Sequence, residues 1–286
     1  MAAQNGARRI STGLGLALAV TFLHLNATAA DVGLGTANSF GVLGATAITS
    51  ADTGSTVNGG NVGLSPGVMS SITGIINVGP GYSVQAANAV TLQAQNDLTI
   101  AYGQAAGALP VTQDLTGKDL GTVSTVASPL APGVYSFSSS AQLTGTLYLN
   151  DGGNPDAVFI FKIGSTLTTA SGSSVVAVDG PNGPGSGISV FWQVGSSATL
   201  GTGTDFEGNI LALTSITADT GATVDGRLLA ENGAVSLDDN TINVPVAETE
   251  TGTGTGQVPE AGSTILLLGS GLAALFAFGR RFPCPA

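Results

Sequence analysis

Between residues 200 and 230 the sequence repeats itself with a period of eighteen residues, and a period that short points to a solenoid. The run LGTGTDFEGNILA (200 to 212) lies over ADTGATVDGRLLA (218 to 230), so that Thr202 falls on Thr220, Gly203 on Gly221, Phe206 on Val224, Gly208 on Gly226 and Ala212 on Ala230. SGSSV at 171 to 175 and DDNTI at 238 to 242 keep the same frame, and TGSTVNG at 53 to 59 is a distant upstream copy. One such unit cannot bury its own apolar residue, so units must stack and share a core. Glycine takes the bend, because it accepts positive φ without a Cβ penalty. The β-branched residue that follows suits a pleated surface.

Composition narrows the function classes. The chain has 43 glycines in 286 residues, without the triplet period of collagen, and its 43% hydrophobic content argues against disorder. Arg8, Arg9, Arg280 and Arg281 sit at the two ends, leaving Lys118, Lys162 and Arg227 as the only cations between them. The middle region is therefore acidic, and nucleic acid is excluded as a partner because phosphate binding needs clustered cations. His24 and Cys284 are the only histidine and cysteine, and both lie in terminal segments. The middle domain thus has no thiol nucleophile, imidazole base or disulfide, and no cofactor is expected.

Taken in order, residues 1 to 30 have the form of a secretory signal: Arg8 and Arg9, an apolar run at 14 to 25, and a small-x-small site at Ala27-Thr28-Ala29. A domain of strands and turns is expected over 31 to 247. Within it, residues 83 to 106 carry Val84, Ala87, Val90 or Thr91, Ala94, Leu98, Tyr102 and Ala105 at helical spacing, which predicts one long packed helix capped by Ser83. The continuous apolar runs at 157 to 163 and 188 to 194 suit strands covered on both faces, with an exposed loop between them. Residues 248 to 257 form an acidic Gly/Thr linker, and 258 to 286 carry Val258-Pro259-Glu260, an apolar stretch at 265 to 278, then Arg280-Arg281. This tail resembles the PEP-CTERM sorting signal, with Ala261 standing where that family has its second proline. The resemblance implies an exosortase-type processing partner, transient membrane contact, and release to the surface or matrix of a Gram-negative bacterium. A retained membrane anchor is the alternative.

Catalytic chemistry is sparse. Asp205 with Glu207, or Asp238 with Asp239, near Lys162 or Arg227, would be the carboxylates of a polysaccharide-cleaving site. Glycoside hydrolysis needs two carboxyls across a cleft, whereas Asp205 and Glu207 flank an inward Phe206 and are expected to face solvent. The segment 238 to 240 lacks a full set of calcium ligands. The positive feature is a ladder. Val57, Val175, Phe206, Val224 and Ile242 are expected to point inward, and by strand alternation the residues before them, Thr56, Ser174, Asp205, Thr223 and Thr241, point out. A second ladder flanks the preceding inward positions: Thr166 and Thr168, Ser197 and Thr199, Ser215 and Thr217, then Ala47 and Thr49. A rigid grid of threonine methyls and hydroxyls can order water at the strand spacing of about 4.8 Å, though threonine is also simply a good exposed strand residue.

At these residues the chain resembles the microbial ice-binding proteins, a family first catalogued as a domain of unknown function. NVGLSPG (61 to 67), AANAVTLQAQNDLTIAYGQAAG (86 to 107), APGVYSF (131 to 137), DAVFIFKIGSTLTTASGSSV (156 to 175) and the long run from 190 to 242 carry the resemblance. It implies a mainly β protein: a right-handed discontinuous parallel β-helix of triangular section, one long α-helix alongside, and an N-terminal coil that joins out of sequence order. That family's ice face carries Thr-Ala/Gly-x-Thr/Asn. TGST at 53 to 56 and TGAT at 220 to 223 satisfy it, TGTD ends in Asp205, SGSS at 171 to 174 substitutes serine, and DDNT keeps only Thr241. The resemblance therefore implies an ice face made by Thr53, Ser55, Thr56, Thr202, Thr204, Thr220, Thr223 and Thr241. The alternative face is Thr49, Thr166, Thr168, Thr199, Ser215 and Thr217. The expected partner is ice or ordered water, at moderate or weak activity because carboxylates interrupt the array. An adhesin holding extracellular polysaccharide is the alternative, and no catalysis is expected.

Overall fold

The computed structural model describes residues 32–51, 54–152, 154, 157–178 and 189–245. The secretory segment, the linker, the sorting-like tail, Thr53 and the loop expected between the two apolar runs lie outside the described residues.

Eighteen residues make one turn of a three-sided coil. After the bend at Gly221 (φ 72°), residues 223 to 225 lie on one side. The chain turns a corner at Gly226, residues 227 to 230 form the second side, and Val235–Leu237 the third. Every pairing between named strands is parallel. A 14-stranded sheet bends around two sides, and a 7-stranded sheet of two- and three-residue strands makes the third. The result is a parallel β-helix of seven coils. Its sides are called here the Thr223 face, the helix face and the Thr217 face. The eighteen-residue period appears directly as register, since Asp205 pairs with Thr223 and each residue through Ala212 with Ala230 follows in step.

The corner is built from a glycine pair. Gly208 has φ 117° and Gly226 φ 154°, and a Cβ on Gly226 would stand 2.0 Å from the Gly208 carbonyl oxygen. No side chain fits there, which explains why the repeat carries glycine at both positions.

Inside, alternation holds: Val57, Phe206, Val224 and Ile242 are all at most 1% exposed. Along one corner the aromatic rings form a column, Tyr135 on Phe161 at 5.3 Å, Phe161 on Trp192 at 4.0 Å and Trp192 on Phe206 at 5.0 Å. Stacked coils bring these rings to the separations that aromatic pairs favour. The Trp192 indole donates to the Glu207 carbonyl at 3.0 Å, so its one polar atom is satisfied in the core.

The coils do not stack in chain order. Phe40–Gly44 inserts between the second half of Thr223–Ala230 and Asn61–Leu64. Ile48–Ser50 pairs with Val235–Leu237, and Ser55–Asn58 with Thr241–Asn243. The first coils of the chain therefore continue the solenoid beyond its last one, as the family resemblance implied.

The long helix is Ala89–Gly107, and it starts later than the sequence pattern suggests. Its cap is Asn88, whose side chain accepts from the Thr91 amide while the Thr91 hydroxyl accepts from the Asn88 amide, a reciprocal capping box. Ser83 caps nothing. Its amide donates to the Asn61 side chain, and Val84–Ala86 forms a strand beside Asn61–Leu64. Three residues fit either period, and an open sheet edge decided for strand. Ala87, expected on the buried helical stripe, is exposed at positive φ, and of the pair Val90 or Thr91 it is Thr91 that is buried.

Ala94, Leu98, Ala101 and Ala105 pack on Leu43, Ile160, Phe191, Leu211 and Leu229, the outward residues of the helix face. That contact explains the continuous apolar runs at Val158–Ile163 and Ser189–Val194: both sides of those strands are covered. Leu98 is fully buried at this seam, so Leu98→Ala should cost about 2–5 kcal/mol, read from a denaturant melt.

Candidate functional site

With the helix covering one side, two sides remain open. On the Thr223 face the inner file runs Thr146, Ser174, Asp205, Thr223, Thr241, Thr56 and Asn77, each in register with the next. Asp205 and Asn77 are exposed and the other five half-buried. Thr146 and Ser174 are tied to each other by a 2.9 Å hydrogen bond. The hydroxyls of Thr56, Thr223 and Thr241 bond no other group among the described residues, which leaves them to solvent. Thr202 and Thr220 stand exposed at the bend beside this file, and the Thr220 hydroxyl donates to the Asp238 carboxylate.

Ser55 and Thr204, expected on this face, turn into the molecule instead, at 0% and 1% exposure. Alternation requires it: if the fourth residue of the motif faces out, the third faces in. Their hydroxyls are satisfied there, Ser55 by Ser50 and the Asn240 amide, Thr204 by Thr169 at 2.8 Å.

The neighbouring outward file is more polar. Glu207 pairs with Asp225, Asp225 with Asn243, and Asn243 with Asn58. The Asn58 amide donates to Asn243 at 3.0 Å and the Asn243 amide to Asp225 at 2.8 Å, so the amides form a chain that ends at a carboxylate. Glu207 does not face open solvent as alternation alone suggested. Burial at the corner, then the charges of Asp225 and Asp205, push its carboxyl up to about 8. Asp205 is raised as well, by burial first and then by Asp225.

Because the folded Glu207 holds its proton far above the ordinary value of 4.5, the stability this gives is complete below pH 4.5. It is lost as pH rises through about 8. The protein should therefore melt lower at pH 9 than at pH 6, and Glu207→Gln should recover most of the difference, on the order of 2–3 kcal/mol. Thermal melts of both proteins across that range check it.

On the Thr217 face the central file is Gln142, Thr168, Thr199, Thr217, Ser236, Thr49 and Thr73, in continuous register and without a charge. Beside it Thr166 donates to Ser140 at 2.8 Å, and Ser215 and Ser197 accept backbone amides, so part of this face is committed to holding coils together. The structure thus brings Thr56, Thr223 and Thr241 together on one side, and Thr49, Thr166, Thr168, Thr199, Ser215 and Thr217 on another. Ser236 and Thr73, absent from the sequence expectation, extend the second ladder. Their spacing from the inward residues Val235 and Ile72 carried the signal.

The carboxylates form no cleft. Asp205 and Glu207 lie two apart on one strand, Asp238 is bound by Thr220, and Asn240 points into the core. Among the described residues no group of three or more His, Cys, Asp or Glu side chains is placed to hold a metal. Lys162 donates to the Ala108 carbonyl at the end of the helix. Arg227 is buried on the helix face, bonded to the Asn38 carbonyl at 3.0 Å and the Asn209 side chain at 2.9 Å, and burial pulls it down to about 10. Neither cation stands near the acids of the Thr223 face.

A family model described as ice-binding-like matches residues 42–243. An ice-binding protein of Nostoc sp. (strain HG1) is 48% identical over 271 residues, covering 93% of each chain. One from Colwellia sp. is 36% identical, covering 77% of this chain and 86% of the other. Among solved structures, an ice binding protein from an Antarctic biological consortium superposes with a TM-score of 0.65 at 38% identity, over 75% of this chain and 91% of that one. An ice-binding protein from the Antarctic ascomycete Antarctomyces psychrotrophicus gives 0.64 at 34% identity, over 75% and 98%.

Proposed function

Because this chain belongs to the ice-binding-like family, we propose that it adsorbs to ice through the Thr223 face and checks crystal growth or recrystallisation. The observation that carries this reading is the file Thr223, Thr241 and Thr56: three threonines in consecutive coils, in register, with hydroxyls bonded to nothing else in the protein among the described residues. Each threonine presents a methyl that shelters water and a hydroxyl that anchors it. One such contact is weak, but a β-helix loses little entropy on binding, so the contacts of a rigid array can sum. Thr202 and Thr220 widen the surface at the bend. Thr53 belongs to it by the motif, and lies outside the described residues.

Secretion belongs to the same reading. The charged and apolar leader would carry the domain out of the cell, and the sorting-like tail would deliver it to the surface or matrix, where ice is met. The test is recrystallisation inhibition together with thermal hysteresis on purified protein. Faceted crystals and arrested grain growth at micromolar concentration are expected. Ordinary grain growth with a folded sample would mean that the fold serves another ligand.

A further inference from the structure

We propose that Asp205 sets the strength of adsorption, by dividing one file of uncharged polar side chains into two short ones. This rests on the reading of the Thr223 face as the ice surface. The register is the warrant. Thr146 and Ser174 lie on one side of Asp205, and Thr223, Thr241, Thr56 and Asn77 on the other. With any uncharged hydroxyl or amide in that position, the file would run unbroken through all seven coils. Asp205 is exposed and pairs directly with Ser174 and Thr223, so its carboxylate stands in the plane of the threonines.

A carboxylate in that plane acts against binding in two ways. Its hydration must be stripped, or accommodated, wherever ice meets the surface, and an ion gives up water at far greater cost than a hydroxyl. It also anchors water in the arrangement of an ion shell, which interrupts the pattern that the threonines impose on either side. Asp225 lies in the neighbouring file, so the charge at Asp205 is reinforced from beside it, and Lys162 and Arg227 are engaged elsewhere, at the Ala108 and Asn38 carbonyls. The bend next to Asp205 is already that of a threonine coil: Thr202 and Gly203 match Thr220 and Gly221, and only the fourth residue departs. The fold there requires no acid. The corresponding place in the next coil holds threonine on the same backbone.

The test is Asp205→Thr, with Asp205→Asn as a second variant that removes the charge without adding a methyl, in the full-length protein. Recrystallisation inhibition is read as the lowest protein concentration that arrests grain growth, with a thermal melt on each sample. Asp205→Thr should lower that concentration at least about threefold, Asp205→Asn by less, and neither should lower the melting temperature, since each relieves repulsion with Asp225. Folded variants whose threshold is unchanged or higher would overturn the proposal while leaving the ice reading in place. Loss of activity in Thr217→Tyr but not in Thr223→Tyr would overturn it too, because the working surface would then be the other face. If wild type and both variants all fail to arrest growth, the ice reading itself falls, and the proposal with it.

Discussion

Thr223→Tyr should cut recrystallisation inhibition and thermal hysteresis at least about tenfold while moving the melting temperature by no more than about 1–2 °C. Thr223 is half-buried and faces outward between Asp205 and Thr241, and its hydroxyl bonds no other group among the described residues, so the fold has little to lose. Surface changes of this kind usually stay within about 0.5 kcal/mol. A phenol ring in the middle of the file is a different matter for a flat solid. It stands several ångströms above its neighbours and holds two coils on either side off the crystal. A drop in activity of about tenfold or more is expected, equivalent to about 1.4 kcal/mol of adsorption energy. The paired control is Thr217→Tyr, which is equally outward on the other open side and should leave activity near wild type. The reverse pattern would assign the function to the Thr217 face.

Gly226→Ala is the change expected to harm the fold most for its size. A methyl there would meet the Gly208 carbonyl oxygen at 2.0 Å, a backbone atom fixed by parallel pairing in the adjacent coil. No rotamer can relieve that contact, so the coils must part at the corner, and the Glu207 carbonyl would move off the Trp192 indole it accepts from. A loss of about 3 kcal/mol or more is expected, above the usual range for adding one methylene to a core. Gly221→Ala provides the comparison. It also has positive φ, at 72°, but a Cβ there meets nothing within 4 Å, so only the backbone strain of about 1–2 kcal/mol applies. Chemical denaturation of the two variants would separate clash from strain.

Much of this architecture is legible in the sequence because a solenoid repeats a local rule. The inward series Val57, Val175, Phe206, Val224 and Ile242 fixes which neighbours face out, and between residues 205 and 243 register then follows from the eighteen-residue offset without any long-range information. Where the same rule was not carried one residue further, the reading failed: Ser55 and Thr204 precede outward residues and therefore turn in. Other failures have tertiary causes. Residues 84 to 86 fit a helical spacing, yet the edge of Asn61–Leu64 was open and took them as a strand. Glu207 follows the alternation correctly, but its carboxyl is desolvated in the stacked coils, beside Asp225 and Asp205. Neither effect is visible until the coils are stacked. The two threonine ladders are equally readable in the sequence, but which flanking hydroxyls are tied down, Thr146 to Ser174 on one face and Thr166 to Ser140 on the other, is not visible until the coils are stacked.

The stacking of the chain's first coils onto its last one fixes when the molecule can be completed. Asn58 bonds Asn243 across 185 residues of sequence, and Ser55 holds the Asn240 amide across the same span. A ribosome delivers the beginning of this domain long before its docking site exists. Coils 146 to 243 can pile up as they emerge, each on the one before, but Phe40–Gly44 and Ser55–Asn58 must wait for the final turn. Non-local closure of this kind is slow, and it leaves the early strands as exposed edges during the delay. Part of the proposed ice surface is assembled at that same step, because Thr56 is the early-made member of a trio whose other two threonines, Thr223 and Thr241, arrive last. The binding surface thus becomes whole only when the two ends of the domain have met.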